Sequence, residues 1–115
     1  MRITSFIATI LLMACSTVED PQQAATMDVI EQQVRMPKEA LALSSYSRFY
    51  TAASTGEIIG IYVASAHNDL PVGQRRWVED IYHLPAIDDG ECFVVNVRFE
   101  PSAGKVTETF CNGIA

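Results

Sequence analysis

The chain has 115 residues, enough for one small domain, and a hydrophobic content of 49% that allows a buried core. Its formal net charge is −6, from 8 basic and 14 acidic residues. An acidic chain is a poor partner for nucleic-acid phosphates or for an anionic membrane surface. We therefore expect a single folded domain and no nucleic-acid partner.

The N-terminal residues have the pattern of a signal peptide. Arg2 supplies one positive charge, and residues 3–14 form a short, largely apolar run. A membrane-spanning helix needs about 20 such residues, whereas this run has the usual length of a signal-peptide hydrophobic segment. We predict that residues 1–14 are a signal peptide. Removing Arg2 with them makes the net charge of −6 one unit more negative.

A Leu-Met-Ala-Cys sequence, residues 12–15, ends this apolar run. It resembles the lipobox of bacterial lipoproteins, in which leucine, a small residue and cysteine surround the cleavage site; Met13 replaces the preferred alanine or serine. The resemblance implies a type II signal peptide, cleavage before Cys15, a diacylglycerol on its thiol and an acyl chain such as palmitate on its amino group. Two or more acyl chains anchor a protein stably. Ordinary signal-peptide cleavage near residues 14–16 is the alternative.

The residue after the cysteine bears on location. In the sorting rule usual for enterobacteria, aspartate at this position retains a lipoprotein in the inner membrane. Ser16 stands there instead. The resemblance therefore implies the periplasmic face of the outer membrane of a Gram-negative bacterium.

The cysteine count agrees with export. There are three cysteines, and an odd number in an exported protein needs an explanation. If Cys15 carries lipid, Cys92 and Cys111 remain, in a periplasm that is oxidising. We predict that they form a disulfide. A zinc site would need further ligands, and neither histidine lies at a suitable spacing from them.

The mature chain begins with a predicted tether over residues 15–24, and residues 25–115 form one predicted domain. Within "AATMDVIEQQVRM", residues 24–36, Met27, Ile30 and Val34 recur on one face of a helix. Pro37 ends this helix. Its apolar stripe is expected to pack against a sheet.

Two β-hairpins follow, because the apolar pattern changes to a period of two. The segments 46–52 and 57–64 flank "ASTG", and the segments 92–100 and 105–111 flank "PSAG". Each connector is read as a four-residue loop with glycine at a positive φ. Between the hairpins, residues 65–74 have a loop composition, and "RRWVEDIYHL" is a candidate additional strand. The predicted fold is α+β, an N-terminal helix on a four- or five-stranded antiparallel sheet made mainly of the two hairpins.

These loops also predict strand registers. In the second hairpin Glu100 faces Lys105, and one core face collects six residues: Phe93, Val95, Val97, Phe99, Val106 and Phe110. The cysteines then lie on the opposite face, offset by two residues unless a bulge intervenes. In the first hairpin, one face collects Tyr46, Arg48, Tyr50, Ile59, Ile61 and Val63, and the other collects Phe49, Ile58, Gly60 and Tyr62. Both faces are apolar, which favours a strand covered on both sides or one that pairs with another molecule.

The candidate recognition site is Arg75-Arg76-Trp77, whose composition matches binding hot spots. The alternative is a tryptophan that anchors the long connection to the core. His67 and His83 are the candidate residues of a small hydrolase, although turn formation and structural burial explain them as well. The acidic run at residues 88–91 has oxygen ligands suited to calcium but no EF-hand pattern, so we predict neither a metal nor a cofactor.

The sequence thus favours a non-enzymatic, lipid-anchored envelope protein that binds or supports another envelope protein. The alternatives are an inhibitor of an envelope-attacking enzyme such as lysozyme, and the small hydrolase. The lipobox, the aromatic first hairpin and the terminal "CNGIA" also resemble small uncharacterised lipoproteins of alphaproteobacteria. That resemblance implies no activity.

Overall fold

The computed structural model describes residues 18–113. They form one α-helix and a five-stranded sheet. The elements are α1 (Pro21–Gln33), β1 (Ser47–Ala52), β2 (Ile58–Val63), β3 (Arg75–Trp77), β4 (Val94–Glu100) and β5 (Lys105–Cys111). The strand order is β3-β1-β2-β4-β5. The α+β class is confirmed.

The expectation of a wholly antiparallel sheet is wrong, because β3 runs parallel to β1. All other neighbouring pairs are antiparallel. Strand β2 ends beside the first residue of β1, and the connection over residues 64–74 carries the chain across β1 at that same end of the sheet. Consequently β3 starts beside Arg48 and proceeds in the direction of β1.

Helix α1 begins and ends three residues earlier than the sequence pattern predicts. The Asp20 carboxylate accepts hydrogen bonds from the backbone N–H groups of Gln22 (2.9 Å) and Gln23 (3.1 Å). Pro21 occupies the first turn, where its preset φ favours a helical start. The helix is therefore not at the N-terminus of the chain, and it includes residues 21–24 of the predicted tether. No helix in the described part of the chain is long and apolar enough to cross a membrane.

The first hairpin has a shorter loop than predicted, and its faces change as a result. The Ala53 N–H donates to the Glu57 carbonyl (2.8 Å), which leaves three residues in the loop, with Gly56 at φ 90°. Tyr50 therefore pairs with Gly60, whereas the predicted four-residue loop would pair it with Ile59. A shift of one residue moves every side chain of one strand to the other face. The predicted grouping of Tyr46, Arg48 and Tyr50 with Ile59, Ile61 and Val63 is thus wrong.

Both faces of the first hairpin are covered within this chain. Helix α1 covers one face through Met27 and Ile30, and the core there includes Tyr46, Tyr50, Tyr62, Val95, Val97 and Phe99. The other face holds a smaller cluster of Ile61, Val63 and Val94, against which Leu84 and Ile87 of the long connection pack. A strand covered on both sides, one of the two expectations, is what the structure contains.

The second hairpin follows the predicted register only next to its loop. Glu100 pairs with Lys105, but the register shifts between Arg98 and Phe99 through a β-bulge. Beyond the bulge Val95 faces Cys111 instead of Phe110, so Phe110 turns away from the core and is 42% exposed. The placement of Phe110 in the core is therefore wrong. So is that of Phe93, which lies in a 3₁₀ turn and is 48% exposed.

The bulge also brings the two cysteines together. Cys111 turns to the core side of the sheet and packs at the edge of the main core. Cys92 and Cys111 form the predicted disulfide, with Cα atoms 4.6 Å apart. The Tyr46 hydroxyl donates a 2.6 Å hydrogen bond to the Cys92 carbonyl, which ties this corner to the start of β1.

Candidate functional site

The predicted recognition residues form the whole of β3, the strand at one edge of the sheet. Arg75 is mostly buried, with 17% of its side chain exposed, and it pairs with three carboxylates. Its guanidinium lies 3.0 Å from Glu19, 2.9 Å from Asp28 and 3.1 Å from Glu31. The hydrogen bonds that Arg75 donates to the Glu19 carboxylate are the main reason that the pKa of Arg75 is raised. Arg75 is therefore engaged within its own chain.

The other two residues of this strand differ from each other. Trp77 is half-buried and packs against the main core, as expected for a side chain that anchors the long connection. Arg76 is exposed, and its Nη1 donates to the Asn68 carbonyl at 2.9 Å. Of the two arginines in β3, Arg76 is the one whose side chain is exposed to solvent.

A cleft of about 560 Å³ lies between the start of α1 and β3. Its lining combines apolar side chains, among them Val18, Leu70 and Trp77, with the charged Asp20 and Arg76. The residues that precede the helix therefore form one wall, and the edge strand forms the other.

A polar network lies beneath α1 and joins it to the sheet. Glu31 Oε2 accepts from Arg48 Nε at 3.0 Å and from the Tyr50 hydroxyl at 2.8 Å. The Tyr50 and Tyr62 hydroxyls are 2.6 Å apart. Burial is the main cause that raises the pKa of both tyrosines, so both remain protonated hydrogen-bond donors at neutral pH. Together with Arg75, these groups bind the helix to β1, β2 and β3.

The sequence contains a signal for this network, which was not among our predictions. Glu31 follows Met27 by four residues and Ile30 by one, so it shares the buried side of the helix. A carboxylate on that side needs a charged or hydroxyl partner. The alternation of Arg48 and Tyr50 in β1 supplies both on one face of the sheet.

Strand β5 forms the opposite edge of the sheet, and within residues 18–113 the capping contacts on it lie at its beginning. The Gln33 side chain donates to the Gly104 carbonyl (2.7 Å) and accepts from the Val106 N–H (2.9 Å). Farther along, the Asn112 N–H donates to Val94 of β4. Because bonded pairs alternate in an antiparallel ladder, Thr109 then directs its backbone groups away from β4. Among residues 18–113, no loop or side chain bonds the outward N–H of Thr109.

One buried donor beside β5 also lacks an acceptor. Nη1 of Arg98 is buried and has no hydrogen-bond partner within residues 18–113. The nearest carboxylate to this guanidinium is Glu57, at 3.8 Å from Nε, and Phe110 lies exposed on the same face of the sheet. A buried donor without a partner is costly. Because 27% of the Arg98 side chain is exposed, an external acceptor would be favoured here once this donor turns outward.

The two histidines lie in different settings. The ring of His67 packs edge-on against Phe49 at 5.8 Å, in a turn where Asn68 and Asp69 take positive φ. His83 is exposed, and its Nδ1 lies 2.7 Å from Asp80, which raises the pKa of His83 and lowers that of Asp80. In the described chain, neither ring is bonded to a serine, threonine or cysteine that would serve as a nucleophile.

The acidic run at residues 88–91 bends at Asp88 and leads into a 3₁₀ turn that begins at Glu91. Gly90 adopts φ 97°, and the Asn112 side chain donates to the Asp89 carbonyl at 2.9 Å. Residues 18–113 contain no group of three or more histidine, cysteine, aspartate or glutamate side chains placed to hold a metal ion. Cys15, the predicted lipidation site, lies outside the described residues.

No protein-family model, no curated protein sequence and no solved structure matches this chain. The arguments for its function therefore come from its own residues.

Proposed function

We propose that this protein is a lipid-anchored component of the bacterial cell envelope and that its domain binds another envelope protein. The lipobox-like sequence at Cys15 supports the anchor. The disulfide between Cys92 and Cys111 supports an oxidising compartment, because such bonds persist in the periplasm and are rare in the cytosol.

The open edge of β5 is the observation that carries the binding proposal. An exposed strand edge pairs readily with an extended segment of another chain. Backbone pairing at Thr109 would supply affinity. Phe110 and the exposed part of the Arg98 side chain would contribute side-chain recognition of an apolar residue and a carboxylate on the adjoining face. The partner is thus an extended, acidic and apolar segment that adds a strand to the sheet.

Substituting Thr109 tests this proposal. Thr109→Pro removes the outward N–H without removing a bond of the β4–β5 ladder, and proline is tolerated at such edge positions. Thr109→Val keeps the N–H and the branched shape, so it is the matched control. We expect crosslinking in intact envelopes to yield one partner complex with the unaltered protein and with Thr109→Val, and to lose it with Thr109→Pro.

Folding of both variants is checked by their disulfide content and thermal unfolding. Equal crosslinking of all three proteins would exclude the β5 edge as the binding surface. Recovery of no complex with the unaltered protein at its native level would contradict the binding function itself.

A further inference from the structure

The described chain enters its domain at the β3 edge and is held there by an ion pair. Arg75 Nε lies 3.0 Å from Glu19 Oε2, and Arg75 Nη2 lies 3.1 Å from Glu19 Oε1. Two parallel bonds between a guanidinium and a carboxylate define orientation as well as position. Since Arg75 belongs to a strand of the sheet, Glu19, two residues before the helix begins, is attached to the rigid part of the domain.

This attachment limits how far Cys15 lies from the β3 edge. Cys15 is four positions before Glu19 along the chain, and this distance is about 14 Å at most in an extended chain. Helix α1 leads in the other direction: its 13 residues extend about 20 Å. At its end Gln33 bonds Gly104 in the loop of the second hairpin. A lipid attached to the chain ahead of Glu19 is thus within reach of β3, whereas that loop lies at the far end of the helix.

We propose that the lipid on Cys15 holds the β3 edge against the membrane surface, with β5 and the loop over residues 101–104 directed away from it. This orientation rests on the proposed lipidation. It places the open β5 edge where a second envelope protein has access to it.

The side chains around β3 suit a membrane surface. Val18 is 84% exposed, Val72 is 45% exposed and Tyr82 is 89% exposed. Tyr82 adjoins His83, which lines a shallow depression together with Arg76. Exposed apolar, tyrosine and arginine side chains of this kind are typical of the membrane–water interface.

The charges around β3 determine which lipid headgroups this surface favours. Five carboxylates lie on this part of the chain: Glu19, Asp20, Asp69, Glu79 and Asp80. Arg76 is the neighbouring arginine that faces solvent. Anionic lipids would therefore be repelled, and the surface fits zwitterionic headgroups.

Tryptophan fluorescence tests this orientation, because Trp77 is the single tryptophan of the chain. The full lipidated protein is placed in phosphatidylcholine vesicles that carry a headgroup-proximal spin-label quencher. In a Trp77→Phe background, Val72→Trp puts a reporter beside β3, and Ala103→Trp puts one in the distant loop. We expect quenching of the V72W reporter and little quenching of the A103W reporter. Trp77 of the unaltered chain is a further reporter that needs no substitution, and it too should be quenched.

The ion pair has its own test. Glu19→Gln removes the charge of this pair and one of the two acceptor oxygens, so the quenching of the V72W reporter should fall as the domain gains freedom of orientation. Glu39→Gln makes the same charge change at an exposed position and should leave the quenching unaltered.

Mass spectrometry of each preparation separates the two proposals. Unlipidated Cys15 would overturn both the anchor and the orientation. Lipidated protein with equal quenching of the V72W and A103W reporters, or with Trp77 unquenched, would overturn the orientation alone.

Discussion

Replacing Glu31 with alanine should lower the free energy of unfolding by about 3 kcal/mol, the lower end of the range for breaking a buried ion pair from one side. Glu31 is 16% exposed and accepts from both Arg48 and Tyr50. Its other oxygen lies 3.1 Å from Arg75. The substitution would leave these donors beneath the helix without their acceptor.

The size of this effect follows from burial. Arg48 has only 10% of its side chain exposed, so water cannot fully replace the lost carboxylate. A buried charge without a partner costs far more than the pair itself contributes. The Tyr50 and Tyr62 hydroxyls, whose pKa values are raised mainly by burial, cannot neutralise Arg48 by ionising near neutral pH.

Asp28 provides the control for this prediction. It lies on the same helix and also contacts Arg75, at 2.9 Å, but its side chain is 58% exposed. Asp28→Ala should therefore cost less than about 1 kcal/mol, as is usual for exposed ion pairs. Urea unfolding of the two variants measures both effects. Equal destabilisation by Asp28→Ala and Glu31→Ala would show that the network is not what holds α1 to the sheet.

Removing the disulfide should have an effect of similar size. The Cys92→Ala/Cys111→Ala double variant should lose about 3 kcal/mol of unfolding free energy, as estimated from the entropy of closing a loop of this length. The bond joins residues 19 apart in sequence and closes the corner where Cys111 meets the core. The free energy of unfolding of a small domain is about 5–15 kcal/mol, so this loss is a large share of its stability.

Reduction supplies the matched measurement. The unaltered protein with a reductant should unfold at the urea concentration of the double variant, and reductant should not shift the variant further. A double variant as stable as the oxidised protein would contradict the prediction.

The local signals in the sequence predicted the elements of the fold well. Apolar residues at i, i+3 and i+7 indicated α1, and the two glycine-containing loops indicated both hairpins. The Asp20-Pro21 pair, a cap followed by proline, was the missed signal for the helix start. The parallel pairing of β3 with β1 had no local signal, because a three-residue strand is defined by its neighbour rather than by its own pattern.

Register was the weakest part of the prediction. Glu100 and Lys105 pair as expected, whereas Val95 and Phe110 do not, since the bulge beside Arg98 inserts one extra residue into β5. In the first hairpin, a loop one residue shorter moved Tyr50 opposite Gly60. A Cβ at Gly60 would lie 3.1 Å from the Tyr50 ring, so glycine allows this close approach. Packing of this kind decides between registers that the alternating pattern alone cannot separate.

The candidate site was predicted only in part. The composition of Arg75-Arg76-Trp77 predicted a recognition site. It could not show that Arg75 pairs with Glu19 and Glu31, because both are distant from it in sequence. The open edge of β5 depends on strand order, which no single segment encodes. The unpartnered Nη1 of Arg98 likewise follows from packing.

The intact mass of the mature protein, purified from envelopes, tests the central claim most directly. Lipid anchoring predicts a chain that begins at Cys15 and carries a diacylglycerol and an acyl chain, and it predicts that Cys15→Ser abolishes this modification. A mature chain that begins elsewhere, or that begins at an unmodified Cys15, would contradict the proposal.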